Sequence, residues 1–252
     1  YKEGDRGANM DLLSDGMLYV ADFAQGKWNA LDNENNKLIK DNGYKSQAEV
    51  LVRSIDAAAI EDPETEYTLG TPLDRCEDIE VDPETGQVYA ALTNNALHGN
   101  FYGQIVRLTE KDDDPTAGEF SFEVFAAGGP QTGFASPDNL LFDNANNLWV
   151  ITDISSSSLG SGIYESFKNN GAFVMPSGLD GGASFAGGDI VQFASAPVEA
   201  ELTGPAFTPD GKTLFLAVQH PGEESEDPKQ PTSTWPGGGE PKSSVVAITG
   251  FA

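Results

Sequence analysis

Apolar and polar positions follow one repeated pattern at four places along the chain. Each copy has an apolar segment, a polar turn that combines Asp with Gly or Asn, and a second apolar segment that includes an aromatic residue. Gly and Asn readily adopt the positive φ of tight hairpin turns, so each copy predicts a β-hairpin. The four copies are LLSDGMLYVADF (12–23), IEVDPETGQVYAAL (79–92), LLFDNANNLWVITD (140–153) and AFTPDGKTLFLAVQ (206–219).

The spacing of these copies predicts an all-β fold, most simply a β-propeller. They begin roughly 60 to 67 residues apart, which leaves room for one four-stranded blade per copy. Further strands are expected at 103–110, 120–128 and 188–195. About four blades are visible, and six are expected in the complete propeller, so 1–252 is either a single propeller domain or part of one. A β-sandwich is the alternative.

Two other segments depart from this pattern. The segment SQAEVLVRSIDAAAIE (46–61) predicts a helix, because Ser46 and Glu49 have the spacing of a capping box before a periodic apolar run. Residues 220–244 are rich in Gly, Pro and Ser and predict a long loop. Long loops in compact domains often bind ligands, but a mobile surface loop is an equal alternative.

The charge of the chain restricts its partners. Forty acidic and 14 basic residues give a formal net charge of −26. This charge repels phosphate backbones and anionic lipids, so nucleic acid is not an expected partner. Solubility, secretion or a saline environment would explain the acidity, and divalent cations are natural counterions for carboxylates. No apolar run approaches the roughly 20 residues of a membrane-spanning helix.

The metal-ligating residue types favour a carboxylate site. A single cysteine, Cys76, excludes an internal disulfide, and two histidines with one cysteine argue against a zinc site. Hard cations prefer the carboxylate and carbonyl oxygens that this chain has in abundance. The chain opens on YKEGDRGANM, without Met or an apolar leader, so an internal or processed N-terminus is expected.

The segment DRCEDI contains the first candidate site. Alternation along a strand would place Arg75 and Glu77 on one face, where a guanidinium binds an oxyanion and a carboxylate binds a metal. A solvated surface ion pair is the simpler interpretation of this fragment alone. The same alternation points Cys76 the other way, as a small buried side chain without the histidine that would activate a nucleophilic thiol.

Further candidates lie at strand ends. Asp153 ends a buried strand, where it could hold a metal or act as a base, and Glu201 has a comparable position, with Thr203, before the last copy. Asp138 lies in Ser-Pro-Asp-Asn, which favours a simple turn over cation binding. His220 is a metal ligand or, more commonly for a loop histidine, a hydrogen-bond clamp. His98 has no acid nearby in sequence and is left unassigned.

Taken in order, these motifs resemble the C-terminal part of the PhoX-type alkaline phosphatase family. The resemblance implies a propeller that hydrolyses phosphate monoesters with calcium and iron ions and is exported, and therefore extracytoplasmic. The stretches that carry it are LLSDGMLYVADF, DRCEDIEVDPETGQVYAALTNN, SPDNLLFDNANNLWVITD, ELTGPAFTPDGKTLFLAVQHPGE and STWPGGGEPKSSVVAI.

The resemblance also implies roles for particular residues. Arg75 and Glu77 match the arginine and metal-binding glutamate of the family's Arg-Pro-Glu motif, and Asp153, Glu201 and Asp138 are similar to further metal-site carboxylates. Cys76 stands in place of the usual proline and Asp78 in place of a bulky aromatic residue. The iron-binding cysteine of the family's N-terminal blades has no counterpart here. The chain is thus expected to supply part of the metal cluster.

Three functions follow from these observations. The first is a PhoX-like metal-dependent phosphomonoesterase. The second is a propeller that has lost catalysis and serves as a calcium-stabilised binding or assembly module. The third is a calcium-dependent lactonase or esterase. Bound iron and phosphate-ester turnover would favour the first, calcium without turnover the second, and lactone hydrolysis the third.

Overall fold

The structure, a computed structural model, describes residues 10, 16–178 and 189–251. The described part is all-β, with four antiparallel sheets and a few short helices. Its strands are β1 (Tyr19–Asp22), β2 (Lys27–Ala30), β3 (Cys76–Val81), β4 (Val88–Leu92), β5 (Gln104–Glu110), β6 (Phe120–Ala127), β7 (Pro137–Phe142), β8 (Leu148–Thr152), β9 (Gly171–Met175), β10 (Val191–Ser195), β11 (Glu201–Phe207), β12 (Thr213–Gln219) and β13 (Ser244–Thr249).

The chain divides into two compact units. The first comprises residues up to Pro72 together with Thr116–Ser121, and it holds the β1–β2 hairpin and three helices. These helices are α1 (Lys37–Asp41), α2 (Gln47–Val52) and α3 (Ser54–Ala58). The longest α-helix among the described residues thus has six residues, and none has the length and hydropathy of a membrane-spanning segment. A hydrophobic cluster in this unit contains the buried residues Leu31, Ile39, Tyr44, Val50, Ala57, Ile60 and Leu69.

The predicted helix at 46–61 is confirmed, as two short helices. Ser46 caps α2: its hydroxyl accepts a hydrogen bond from the Glu49 amide at 3.2 Å. The Glu49 carboxylate accepts from the Lys45 amide at 3.0 Å, which satisfies a second exposed donor at this end. The backbone leaves helical geometry at Arg53 (φ −113°, ψ 38°), and this break separates α2 from α3.

The second unit comprises Leu73–Pro115 and the residues from Phe122 onward, and it holds three sheets. Their strand orders are β3-β4-β5-β6, β10-β9-β8-β7 and β11-β12-β13. The predicted hairpins at 79–92, 140–153 and 206–219 are confirmed as the first two strands of each sheet. The strands expected at 103–110, 120–128 and 188–195 are confirmed as β5, β6 and β10.

The hairpin predicted at 12–23 is not tested, because its first strand falls outside the described residues. The segment expected as its second strand contains β1, which pairs with the following strand β2 through a turn at 23–26. Gly26 supplies a positive φ of 63° there, and the Asp22 carboxylate accepts from the Gln25 amide at 3.1 Å. Residues 12–15 lie outside the described residues.

Strand β8 is apolar at nearly every position and lacks the alternation of apolar and polar residues that is typical of a half-buried strand. All five of its residues are buried. Leu148 and Val150 join a cluster with residues of the first sheet, while Trp149 and Ile151 join a cluster with residues of the last sheet. A strand covered on both faces needs an apolar side chain at every position.

The turn between β7 and β8 is organised by Asp143. Its carboxylate accepts from the Trp149 indole at 2.8 Å and from the amides of Ala145 and Asn147, each at 2.9 Å. Burial opposes ionisation of Asp143, but these hydrogen bonds outweigh it and hold its pKa below the ordinary value of 3.8. The charged form of Asp143 therefore stabilises the fold.

We expect Asp143→Asn to lower the free energy of unfolding at pH 7 by about 2 kcal/mol, because hydrogen bonds to a charged acceptor are lost. A pKa lowered in the folded state gives stability that is present above the unfolded value and lost as pH falls through the folded one. The free energies of unfolding of the two proteins, measured with denaturant, should therefore converge below pH 4. Glu84→Gln, at an exposed position of the β3–β4 turn, is the control. A difference unchanged from pH 7 to pH 2.5 would contradict this.

Candidate functional site

The first strand of each sheet in the second unit carries a β-bulge. The register shifts between Cys76 and Asp78 in β3, between Pro137 and Leu140 in β7, and between Thr203 and Ala206 in β11. Bulges redirect side chains and are common beside active sites. Glu77 lies in the first bulge and Asp138 in the second. Glu201 begins β11, so each sheet presents one predicted carboxylate at this end.

Arg75 and Glu77 come together by a route different from simple alternation. Arg75 precedes β3 with a positive φ of 51°, and Glu77 is the extra residue of the bulge, so the strict two-residue period does not apply. Arg75 Nη2 nevertheless lies 3.6 Å from Glu77 Oε1. Arg75 Nη1 donates to Asn94 Oδ1 at 3.1 Å, and Asn94 Nδ2 donates to Ser136 Oγ at 3.3 Å. Glu77 and Asn94 thus orient the guanidinium, and Asn94 is itself held by the residue that precedes β7.

Asp138 lies among the other acids of the site. The prediction of a simple turn at 136–139 is wrong, because β7 begins at Pro137 and contains Asp138. Burial, followed by the charges of Glu201, Asp153, Glu77 and Asp78, raises the pKa of Asp138 to about 7. Four further carboxylates therefore lie within electrostatic reach of Asp138.

Asp153 and Glu201 belong to the same group of acids. Burial raises the pKa of both carboxyls; nearby His220 and Arg75 oppose the shift at Asp153, and the charge of Asp153 adds to it at Glu201. Glu201 Oε1 accepts from Gln219 Nε2 at 3.2 Å, and Glu201 Oε2 lies 3.4 Å from His220 Nε2. The structure thus brings together all five predicted site residues.

His220 lies between two carboxylates. Its Nε2 faces Glu201 and its Nδ1 lies 3.4 Å from Glu223 Oε2, at a poor angle for a hydrogen bond. Ser156 Oγ donates to Glu223 Oε2 at 2.8 Å. This geometry agrees with the clamp interpretation of His220. Residues 220–243 form the irregular connection from β12 to β13, and this connection supplies Glu223.

The donor set fits a hard cation. Within the part of the chain that the structure describes, no three His, Cys, Asp or Glu side chains are close enough to hold one ion. Burial first, and then the charges of the neighbouring acids, favour the neutral form of Asp138, and a cation would offset the contribution of those charges. Carboxylate oxygens suit calcium, whereas this set does not specify iron.

Two sequence-based interpretations near Arg75 need correction. Cys76 is exposed rather than buried, because the bulge at the next residue interrupts the alternation on which that prediction depended. Partial desolvation and the charges of Glu77 and Asp74 raise the pKa of the thiol, which disfavours a nucleophilic thiolate. His98 does have an acid nearby: its Nδ1 lies 2.6 Å from Asp74 Oδ1, a contact between residues 24 positions apart.

Sequence reasoning missed Asn94 and Glu223. Asn94 is the second residue after the end of β4. Ile154, which follows Asp153, is the second residue after the end of β8. The Thr93 amide donates to Arg75 O at 3.1 Å, and the Asp153 amide donates to Ser136 O at 2.9 Å, so the two hairpins match position by position. In this match Thr93 corresponds to Asp153 and Asn94 to Ile154, so the repeat carried no signal for Asn94. Glu223 belongs to an irregular loop and had no signal either.

Comparisons with known proteins identify the family of this chain. A family model described as alkaline phosphatase PhoX matches residues 1–222. The solved structure of Pseudomonas fluorescens PhoX in complex with vanadate, a transition state analogue, is 32% identical, with a TM-score of 0.81. The alignment covers 99% of this chain and 47% of that one, so this chain spans about half the length of that protein. The search of curated proteins finds no match. By these matches, the chain belongs to the PhoX alkaline phosphatase family.

Proposed function

We propose that this chain forms part of a metal-dependent phosphomonoesterase that releases phosphate from organic phosphate esters. The observation that carries the proposal is the placement of the Arg75 guanidinium 3.6 Å from Glu77, beside Asp138, Asp153 and Glu201. Family membership supports it, as does the vanadate bound by the similar Pseudomonas fluorescens protein.

We also propose that the sheets are blades of a β-propeller with six blades in the complete protein. The consecutive antiparallel sheets, each starting at one edge and proceeding strand by strand, support this architecture. In such a fold, the first strands of successive blades surround the axis, and their site ends would place Glu77, Asp138 and Glu201 around its opening.

Calcium and iron are the proposed cofactors. Glu77, Asp138, Asp153 and Glu201 would hold calcium through carboxylate oxygens. A bound cation would polarise phosphoryl oxygens and neutralise charge that develops during transfer. Iron is proposed from the family resemblance alone, and we assign it no residue of this chain.

The proposed role of Arg75 follows from its contacts. Nη1 is engaged by Asn94 and Nη2 faces Glu77, while the side chain remains 57% exposed. The remaining N–H groups are therefore available to two oxygens of a phosphate monoester in a bidentate contact. Because Asn94 and Glu77 hold the guanidinium before substrate arrives, little reorganisation is needed to stabilise the transferring phosphoryl group.

Hydrolysis of p-nitrophenyl phosphate, measured with calcium and iron on the natural protein that carries this chain, tests the proposal. We expect Glu77→Ala to lower kcat/KM by about 100-fold or more, because substitution of a metal ligand, or of a residue bonded to one, commonly weakens metal binding and activity. Glu84→Ala removes an exposed carboxylate from the far end of the same hairpin and should retain activity. Wild-type turnover no faster than that of Glu77→Ala would refute the proposed activity.

Metal removal gives a separate prediction. Dialysis against a chelator should abolish phosphate-ester hydrolysis, and readdition of calcium with iron should restore it, because the four carboxylates otherwise repel each other. Metal analysis and turnover on the same sample separate the alternatives. Calcium without any turnover would identify a binding or assembly module, and hydrolysis of a lactone alone would identify a lactonase.

An extracytoplasmic location is also proposed. The support is the family resemblance, and the net charge of −26 is compatible with a secreted protein. Fractionation of the source cells, followed by immunodetection, tests the location. Recovery of the mature protein in the cytoplasmic fraction would contradict it.

A further inference from the structure

The first strands of the three sheets of the second unit have backbone amides that need acceptors outside their own ladder. β3, β7 and β11 each lie at the edge of their sheet, and each is interrupted by a bulge. Both features leave N–H groups without a ladder partner. Buried or half-buried amides of this kind are normally satisfied by side chains or water.

Side chains of the preceding sheet supply those acceptors. Asp78 Oδ2 accepts from the Leu140 amide of β7 at 2.8 Å, while Asp78 Oδ1 accepts from the Ile79 amide at 2.8 Å. Asn139 Oδ1 accepts from the Gly204 amide of β11 at 3.0 Å and from Thr203 Oγ1 at 2.8 Å. Two cross-sheet links therefore run in sequence, from the first sheet to the second and from the second to the third.

The two acceptors occupy the same position in their hairpins. Asp78 directly follows Glu77, and Asn139 directly follows Asp138. Asp78 is three residues before Val81, the partner of Val88, and Asn139 is three before Phe142, the partner of Leu148. Equivalent bonds at equivalent positions indicate a repeated device rather than one incidental contact.

Each link joins the surroundings of two successive site carboxylates. The first starts beside Glu77 and ends two residues after Asp138; the second starts beside Asp138 and ends two and three residues after Glu201. We propose that Asp78 and Asn139 are positioning residues that set the separation of Glu77, Asp138 and Glu201. This inference rests on the proposed function, because the separation matters only if the carboxylates share cations.

The hydrophobic core makes this role separable from a general structural one. The first and second sheets share a buried cluster that includes Tyr89, Phe125 and Val150, and the second and third share another that includes Trp149 and Leu216. These clusters hold the sheets together without either link. Loss of a link should therefore disturb the strand ends at the site more than the stability of the fold.

The test compares Asp78→Ala and Asn139→Ala with Asp78→Asn, Asn139→Asp and the control Glu84→Ala in the natural protein. Three quantities are measured: calcium affinity by calorimetry, p-nitrophenyl phosphate hydrolysis across a calcium titration, and hydrogen exchange at 137–142 and 201–207. We expect the alanine variants to bind calcium about 10-fold to 100-fold more weakly, with kcat recovered at high calcium. Asp78→Asn keeps one acceptor oxygen and Asn139→Asp has two, so both variants should recover most of the affinity.

Each outcome decides the inference. Faster exchange at 137–142 in Asp78→Ala with unchanged calcium affinity would make the link merely structural and overturn the positioning role, and so would absence of calcium binding in the wild type. If an alanine variant fails to fold, the graded affinity of the Asn and Asp variants decides in its place. Calcium binding that depends on Asp78, in a protein that hydrolyses no phosphate ester, would support this inference and refute the proposed activity.

Discussion

Arg75→Ala should lower kcat/KM for phosphate monoesters by about 100-fold to 1000-fold, the loss typical when one preorganised donor to a transition-state oxyanion is removed. The reason lies in the fixed geometry of the guanidinium. Asn94 Oδ1 at 3.1 Å and Glu77 Oε1 at 3.6 Å hold it in place, so its free N–H groups are aimed before substrate binds. Steady-state kinetics at saturating metal measure the loss.

Two further variants show whether geometry or charge accounts for the activity of Arg75. Arg75→Lys keeps the charge but not the planar pair of donors, so most of the loss should remain. Asn94→Ala keeps the guanidinium and removes its orienting partner, so a smaller loss is expected. Full activity in Arg75→Lys would show that a point charge suffices and would contradict bidentate recognition.

Asn170→Ala should lower the free energy of unfolding by about 3 to 4 kcal/mol, because it leaves buried backbone groups unpaired. Asn170 is 1% exposed. Its Oδ1 accepts from the Ile154 amide at 2.6 Å, and its Nδ2 donates to the Ile154 carbonyl at 2.9 Å and to the Ala200 carbonyl at 3.3 Å. One side chain thus joins the chain just after Asp153 to the chain just before Glu201.

Denaturant unfolding with Asn144→Ala as the control measures this effect. Asn144 is an exposed asparagine of the β7–β8 turn, and its truncation should leave stability nearly unchanged. Equal midpoints for the two variants would contradict the expectation. Because Asn170 lies between two site carboxylates, weaker calcium binding should accompany the lower stability.

The hairpins could be predicted from the sequence because their determinants are local. A turn aspartate with Gly or Asn, between apolar segments, specifies the hairpins of the second unit wherever the chain repeats it. The hairpin at 12–23 stays a prediction, but the pattern did not show that β1 pairs with the strand after it, through a turn that contains Gly26. Local signals identify a turn but do not show every neighbour with which a strand pairs.

The site could be predicted only as a set of residue types. Arg75 and Glu77 were found because a guanidinium and a carboxylate two residues apart are chemically distinctive and match a family motif. The bulges were missed because one inserted residue leaves no periodic trace, and the exposure of Cys76 was missed with them. The Asp74–His98 pair and the contacts of Asn94 depend on residues distant in sequence, which no local pattern reveals.

The tight turns of the β3–β4, β7–β8 and β11–β12 hairpins have a practical consequence. Each turn lies at the end of its hairpin opposite the site carboxylate. In the first hairpin, five residues separate Glu77 from Asp82, which corresponds to about 16 Å along the strand. Glu84 in the first of these turns is exposed. The Asp82 carboxylate closes the turn by accepting a hydrogen bond from the backbone amide of Glu84 at 2.8 Å, and this bond does not involve the Glu84 side chain. Glu84→Cys combined with Cys76→Ser, which removes the exposed thiol beside the site, would direct a fluorophore or an immobilisation tether to this turn, so that metal loading is followed from outside the site.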